Sequence, residues 1–238
     1  AFGKVIGEWG HRCATERGYD RFAGCTSLNA AERLYGGVDP KTTGMQSQSC
    51  GAAMRIAPIG LFYHQDREKL KEAAAWAAKM THNHPNAIES AVFVADVVAN
   101  LLRGGDPQSA VRDARKIITA EVTKNIDYVL AHPRVHPDEL VKQVGASASS
   151  TETVPMAVGC LLYTPDDFKE VVVNAANLVP GDTDSIACIA GAMIGVNVGF
   201  QNIPQRFKEG LENRVYLESI AEELARQCLK KDPDKIKV

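Results

Sequence analysis

The sequence predicts an all-α protein, and two patterns support that class. Helix starts recur in which a polar residue or histidine precedes a proline, at Pro85, Pro107, Pro137 and Pro165. Apolar residues at helical spacing follow each of them, and no stretch keeps the apolar and polar alternation of a half-buried strand. A chain of 238 residues can bury one large core, so we expect a single compact multi-helix domain over residues 1–238.

Composition narrows the classes of function. The formal net charge is -2 and the charges are interspersed, so there is no basic footprint for nucleic acid or an anionic membrane. We expect no membrane span, because neither a signal-peptide core nor a long apolar segment is evident. The six cysteines are scattered without a Cys-x-x-Cys pair, which indicates reduced thiols. These features predict a cytoplasmic protein.

The first fifty residues are the least regular part of the chain. Residues Phe2 to Trp9 are consistent with the end of a helix, and Ser27 to Tyr35 predict a short helix that Gly36 stops. Small polar residues from Thr42 to Gly51 predict a loop. The run Gly51 to Met54 follows, and its small residues suit either main-chain contact with a phosphate or tight helix packing.

Helices are expected to fill most of the remaining chain. Caps, prolines and apolar spacing predict Asp66 to Met80, Pro85 to Leu102, Pro107 to His132, His136 to Gly145, Val154 to Tyr163, a helix capped by Thr164 to Asp167, and an amphipathic helix from Arg214 to Leu229. Residues 230–238 are expected to form a mobile tail.

The stretch from Gly181 to Ser185 carries the strongest sign of chemistry. Asp182, Asp184 and Ser185 lie at the start of an almost uncharged helix. One interpretation is a helix cap, with acidic side chains near the positive end of the helix dipole. The other is a cation site, since oxygen ligands this close together suit Mg²⁺, Ca²⁺ or Mn²⁺ rather than zinc. Spacing alone does not decide between the two.

The helix behind this stretch has small residues at every fourth position, namely Ala187, Gly191, Gly195 and Gly199. Each glycine in a helix interior costs up to about 1 kcal/mol relative to alanine, so the pattern needs a reason. We expect the close approach of a neighbouring backbone, which would make this a buried central helix.

Several motifs occur here in one order and together resemble the ADP-ribosylglycohydrolase family, which includes the dinitrogenase reductase-activating glycohydrolases. They are Gly51-Ala52-Ala53-Met54-Arg55-Ile56-Ala57-Pro58, Thr81-His82, Gly181-Asp182-Thr183-Asp184-Ser185, Gly191, Gly195 and Ile203-Pro204. The resemblance runs from about Tyr19 to Leu224. The family pattern usually has Gly-Gly before its Asp-x-Asp-Thr core, where this chain has Pro180-Gly181 and ends the core with Ser185.

The resemblance implies an all-α domain that hydrolyses the glycosidic bond between ADP-ribose and a protein side chain or small molecule. It implies two Mg²⁺ or Mn²⁺ ions in the complete protein. Asp182, Asp184 and Ser185 would be metal ligands, and the two carboxylates would be catalytic. Substrate contacts would come from Gly51, Ala52, Ala53, Met54 and His82.

One departure from the family pattern bears on activity. Members carry a second ligand set, a Thr-Asp-Asp run on an N-terminal helix, and no equivalent precedes residue 50 here. The Asp166-Asp167 pair belongs to an ordinary capped helix start. We therefore expect either that the family's N-terminal segment was cleaved or omitted, or that this is a non-catalytic homologue which binds ADP-ribose or a partner. A glycohydrolase of another nucleoside-type substrate is a further alternative.

Three residues near these motifs also suit a purely structural role. From its position at a helix junction, His82 suits a helix cap as well as a substrate contact. Glu152 suits a solvent-exposed loop acid as well as a residue behind the metal ligands. We expect Cys50 to be a small buried apolar residue, because nothing in the sequence indicates an activated thiolate.

Overall fold

The computed structural model describes residues 2–231, and within that range it contains helices and no strand. The all-α prediction is therefore confirmed. The α-helices are α1 (Phe2–Thr15), α2 (Cys25–Tyr35), α3 (Gly51–Met54), α4 (Ala57–Phe62), α5 (Arg67–Lys79), α6 (Pro85–Leu102), α7 (Pro107–Arg115), α8 (Val122–Ala131), α9 (Pro137–Val144), α10 (Ser150–Tyr163), α11 (Phe168–Ala176), α12 (Thr183–Val198), α13 (Gln205–Glu209) and α14 (Arg214–Lys231).

Helix α6 lies at the centre of the core. It packs against α3, α4, α5, α7, α10 and α12, and its residues are apolar nearly all round. By length and composition α6 could also cross a membrane, with a mean hydropathy of 1.2, but 72% of it is buried inside the protein. The expectation of no long apolar segment is therefore wrong, because the 18 residues of α6 form one. The burial is that of the core helix of a globular protein.

Helix α10 is also buried, although it contains Pro155. A proline has no N–H, so the Thr151 carbonyl one turn earlier loses its helical partner. The side-chain amide of Asn125 donates a hydrogen bond of 2.7 Å to that carbonyl. The helix can therefore begin at Ser150, earlier than the expected Val154, without leaving the carbonyl unpaired.

The single helix expected from Pro107 to His132 is wrong, because residues 116–121 separate α7 from α8. The Glu89 carboxylate accepts hydrogen bonds from the main-chain N–H groups of Thr119 and Ala120, the latter at 2.6 Å. These groups are thus satisfied outside a helix. The apolar spacing continues across residues 116–121, so the sequence pattern did not indicate this interruption.

Aspartate side chains cap α5 and α11, and the cap at Asp167 lies within the predicted Thr164 to Asp167 cap. The Asp66 carboxylate accepts from the Lys69 N–H at the start of α5, and Asp167 does the same with Glu170 at the start of α11, each at 3.0 Å. Helix α1 continues well beyond the expected end at Trp9. Of the expected mobile tail, Lys230 and Lys231 belong to α14, and residues 232–238 lie outside the described residues.

The close backbone approach expected along the small-residue stripe of α12 is wrong. A Cβ added at Gly191 would meet the Val172 side chain at 3.8 Å, and one at Gly195 would meet Phe168 at 3.9 Å, both ordinary contacts. Gly199 ends the helix with a φ of 78°, which favours glycine. Helix α12 packs against α3, α6, α10 and α11, and its opposite face is only partly covered.

Candidate functional site

A cleft of about 710 Å³ is lined by α1, the start of α2, the loop before α3 and the first turn of α12. Most of the predicted site residues lie in it, namely Gly51, Met54, His82, Asp182, Asp184 and Ser185. Two do not line it, because Ala52 and Ala53 are 1% and 2% exposed and pack in the core. For these two residues, tight packing explains the small side chains.

Main-chain hydrogen bonds hold the loops around the cleft together. They run from Met45 N–H to the Thr81 carbonyl (2.9 Å), from Cys50 N–H to the Ala148 carbonyl (3.0 Å) and from Asp182 N–H to the Ala146 carbonyl (2.7 Å). Residues distant in sequence are therefore fixed relative to one another by backbone contacts, which do not depend on long side chains.

Asp182 occupies the N-cap position of α12, but its side chain makes no capping hydrogen bond. The carboxylate instead lies 3.6 Å from the Cys50 thiol, which donates to it. Burial raises the pKa of Asp182, the Ser185 hydrogen bond opposes that increase, and the neighbouring Asp184 carboxylate adds to it. The helix-cap interpretation therefore does not account for this carboxylate.

The Ser185 side chain is buried beside the two carboxylates, where its hydroxyl donates to the Met54 thioether at 3.3 Å. Two carboxylates and a hydroxyl form a donor set of hard oxygens, which fits Mg²⁺ or Mn²⁺. Asp184 raises the pKa of Asp182, and a bound cation would offset that repulsion. No group of three His, Cys, Asp or Glu side chains arranged to hold a metal occurs in residues 2–231. These three residues would therefore fill only part of a coordination shell.

His82 is 1% exposed and borders the cleft beside Ser49. Its Nε2 lies 3.1 Å from the Ser49 hydroxyl, and its Nδ1 lies 2.8 Å from the Thr81 hydroxyl. Burial, followed by the charge of Arg55, lowers the pKa of His82 to about 4, so the ring is neutral near pH 7. The cap of the next helix is His84, whose Nδ1 accepts from the Asn86 N–H at 3.2 Å, so the cap interpretation of His82 is wrong.

Gly51 leaves room for the His82 ring. A Cβ built at Gly51 would lie 3.0 Å from both Cε1 and Nε2 of His82, closer than most carbon contacts. The first residue of the small-residue run therefore determines how closely the histidine can approach α3.

Arg55 is a residue of the site to which the sequence assigned no role. Its guanidinium donates to the Gly51 carbonyl (2.9 Å), the Ala77 carbonyl (3.1 Å) and the Thr81 hydroxyl (2.6 Å). Burial lowers the pKa of Arg55 to about 10, and no carboxylate among the described residues offsets that effect. A cation within the otherwise apolar run from Gly51 to Pro58 was the signal that could have identified it.

Aromatic side chains at the rim were also missed. Trp9, Tyr19 and Phe22 line the cleft. Phe22 is fully exposed and has a φ of 59°, a backbone conformation that bulky residues rarely adopt. They lie in the least regular part of the chain, where no pattern indicated a site.

The remaining candidates have structural roles. Glu152 is half-buried rather than a free loop acid, and it accepts from the Ser147 N–H at 2.8 Å. Cys50 is buried as expected, at 4% exposed, and burial raises the pKa of its thiol, but its contact with the Asp182 carboxylate was not expected. Asp167 caps α11 and Asp166 is exposed, so this acidic pair does not line the cleft.

The comparisons with known proteins agree with the fold. The family model described as ADP-ribosylglycohydrolase matches residues 1–234. A solved structure titled "ADP-ribosylglycohydrolase-related protein complex" aligns with a TM-score of 0.68 at 24% identity, covering 94% of this chain and 80% of that one. At that identity the likeness shows the fold.

Relatives extend the similarity to characterised proteins. An uncharacterized protein of Archaeoglobus fulgidus is 37% identical over 86% of this chain and 67% of its own length. ADP-ribosylhydrolase ARH3 of Mus musculus is 26% identical over 81% of this chain and 60% of its own length. The human ARH3 is 27% identical, with 77% and 59% covered. The chain thus spans about 60% of the length of the ARH3 proteins that it matches.

Proposed function

We propose that the cleft binds ADP-ribose and that the protein is a glycohydrolase, because this chain belongs to the ADP-ribosylglycohydrolase family. The bond cleaved would be the glycosidic link between ADP-ribose and a protein side chain or small molecule. Its partners would accordingly be ADP-ribosylated proteins or small ADP-ribose conjugates. A cytoplasmic location stays a prediction.

One observation carries the proposal. The cleft brings the uncapped Asp182 and its neighbour Asp184 to the same cavity as His82 and Gly51, which are distant in sequence. Acidic oxygens beside neutral hydrogen-bonding groups suit a ribose held by its hydroxyls next to a diphosphate. A cavity of about 710 Å³ also lies within the usual range for small-molecule sites.

We expect Mg²⁺ or Mn²⁺ as the cofactor, two ions in the complete protein, held in part by Asp182, Asp184 and Ser185. When bound, such ions lower the pKa of water and neutralise developing negative charge. The chain's own residues orient the substrate. The two carboxylates accept hydrogen bonds from ribose hydroxyls or bind through the cation, and main-chain and side-chain groups around Gly51 and His82 fix the remainder of the ligand.

The test combines binding and turnover. Calorimetry measures ADP-ribose affinity with and without Mg²⁺, and hydrolysis is followed on peptides carrying ADP-ribose through arginine (N-linked) or serine (O-linked). We expect Asp182→Asn and Asp184→Asn to abolish turnover and to weaken Mg²⁺ binding at least tenfold. Asp166→Asn is the matched control, because that exposed acid lies outside the cleft lining and should leave both unchanged. Full metal-dependent turnover in either cleft variant would refute the proposal.

The second candidate is a protein that binds ADP-ribose without hydrolysing it. The observation in its favour is that no three metal-binding side chains converge in the described part of the chain. The same experiments separate the two functions, since ADP-ribose binding without Mg²⁺ uptake or turnover identifies the binder. Turnover of a nucleoside-type glycoside lacking the diphosphate would instead identify a different glycohydrolase.

A further inference from the structure

We propose that Arg55 and Thr81 position His82 as its Nε2–H tautomer, so that the ring donates to Ser49 and leaves the Ser49 hydroxyl as a hydrogen-bond donor at the wall of the cleft. Both residues lie outside the set expected to touch substrate, and both act through His82. The part concerning ADP-ribose affinity rests on the proposed function. The tautomer itself does not, because it is defined in the ligand-free protein.

The Thr81 hydroxyl is the first step in the argument. Arg55 donates to its oxygen at 2.6 Å, and a guanidinium has no acceptor. The hydrogen of the Thr81 hydroxyl must therefore point to another group. Two acceptors in the described part of the chain are in reach, His82 Nδ1 at 2.8 Å and the Ala78 carbonyl at 3.4 Å. The shorter distance makes Nδ1 the acceptor.

The ring tautomer follows from that bond. An imidazole nitrogen that accepts a hydrogen bond carries no hydrogen, so in the neutral ring the hydrogen resides on Nε2. Nε2 then donates to the Ser49 hydroxyl at 3.1 Å. The Ser49 oxygen also receives a hydrogen bond of 3.1 Å from Ser47, which in turn receives one from Thr26. No group among the described residues accepts the hydrogen of the Ser49 hydroxyl, which is therefore left for a ligand.

These contacts give the wall of the cleft a defined polarity. The hydrogen on His82 Nε2 is taken up by Ser49, so the Ser49 hydroxyl is the donor that faces a ligand, which suits an oxygen atom of a phosphate or a ribose rather than an N–H group. Arg55 adds rigidity, because its bonds to the Gly51 and Ala77 carbonyls join α3 to the last turn of α5. The Arg55 guanidinium therefore links Gly51, the first residue of α3, to the end of α5, which is followed directly by Thr81 and His82.

Other histidines provide internal references for the experiment. In His64 and His132 the Nδ1 atom faces a main-chain carbonyl at 2.8 Å, so that nitrogen must carry the hydrogen. In His84 and His136 the Nδ1 atom accepts a main-chain N–H at 3.2 and 3.3 Å, so the hydrogen is on Nε2. The two classes differ in their ring ¹⁵N chemical shifts.

The test is long-range ¹H–¹⁵N NMR of the ligand-free chain at neutral pH, with His82 assigned by its loss in His82→Gln. We expect the ring shifts of His82 to match those of His84 and His136. Thr81→Val and Arg55→Met should both move the ring shifts of His82 towards the values of His132. In Thr81→Val the Nδ1 atom loses its donor, and in Arg55→Met the Thr81 hydroxyl becomes free to accept a hydrogen bond from Nδ1–H. Thr81→Ser and Arg55→Lys retain a donor and should restore the wild-type shifts.

The affinity for ADP-ribose gives a second measurement. Loss of one well-formed hydrogen bond should weaken binding about tenfold in Thr81→Val and Arg55→Met, and Thr81→Ser should bind like the wild type. Wild-type shifts of the His132 class, or unchanged shifts and affinity in Thr81→Val, would overturn the inference. Should Arg55→Met fail to fold, the two Thr81 variants decide it. Expected shifts without ADP-ribose binding would support the tautomer and refute the proposed function.

Discussion

The substitution Gly51→Ala tests the packing of the cleft most directly. The added methyl would lie 3.0 Å from two atoms of the His82 ring, whereas relaxed carbon contacts are about 3.5–4.0 Å. The ring must therefore move by a few tenths of an ångström. A shift of that size away from the added methyl weakens the 3.1 Å bond between Nε2 and Ser49, because it lengthens the bond towards the limit of hydrogen-bonding distance.

The magnitude follows from two opposing effects. Overpacking of this kind costs about 1–3 kcal/mol. Replacing glycine by alanine in a helix returns up to about 1 kcal/mol, and less at the first residue of a short helix such as α3. We expect a net loss of about 1–2 kcal/mol in the free energy of unfolding and about tenfold weaker ADP-ribose binding. Urea denaturation and calorimetry measure the two quantities.

Two controls isolate the contact with His82. Gly191→Ala places its methyl 3.8 Å from the nearest side chain, so it should stabilise α12 by up to about 1 kcal/mol without affecting binding. In a His82→Ala background, Gly51→Ala should no longer be destabilising, because the atoms it meets are gone. An equal penalty in both backgrounds, or wild-type affinity in Gly51→Ala, would show that the ring does not depend on this glycine.

Three further results are expected. The folded-state pKa of His82 is lowered from 6.5 to about 4, so the unfolded chain binds the extra proton in that window. The free energy of unfolding therefore includes a stabilisation from neutral His82 that is fully present above pH 6.5 and is lost as the pH falls towards 4. The loss amounts to up to about 3 kcal/mol. Urea titrations of His82→Gln should accordingly show a flatter dependence of stability on pH. Asn125→Ala should cost about 1–3 kcal/mol by leaving the Thr151 carbonyl unpaired, but less in a Pro155→Ala background, where the helical N–H returns. Thermal melts of Asp182→Asn should show unchanged or higher stability without cations and no stabilisation by Mg²⁺; a drop in cation-free stability would contradict this.

The sequence predicted the bounds of those helices that begin at a capping residue or a proline and end near a glycine or at a helix junction. Helix α6, between His84-Pro85 and Gly104, and helix α5, with its Asp66 cap, have the expected bounds to within a residue or two. The interruption at residues 116–121 could not be predicted, because it depends on Glu89 from another helix. Local propensity describes a helix only until a distant side chain satisfies its backbone groups instead.

The same distinction applies to the site. Asp182, Asp184 and Ser185 lie within four consecutive residues, so a motif places them together without knowledge of the fold. Arg55, Thr81 and His82 meet only because α3 packs beside the end of α5, and Phe22 reaches the rim through an irregular loop. Contacts of that kind have no local sequence pattern, which is why the groups that position His82 were missed.

The state of Asp182 connects stability with function. An aspartate at an N-cap ordinarily stabilises its helix by about 1 kcal/mol through its side chain, and here that hydrogen bond is absent. The carboxylate is instead partly buried beside a second carboxylate, an arrangement that disfavours its charged form. Burial of Ile186 and Ile189 and the bond from Asp182 N–H to Ala146 hold the helix start in place. Because a local arrangement that opposes stability is typical of functional sites, the missing cap favours a cation or a ribose as the partner of this carboxylate.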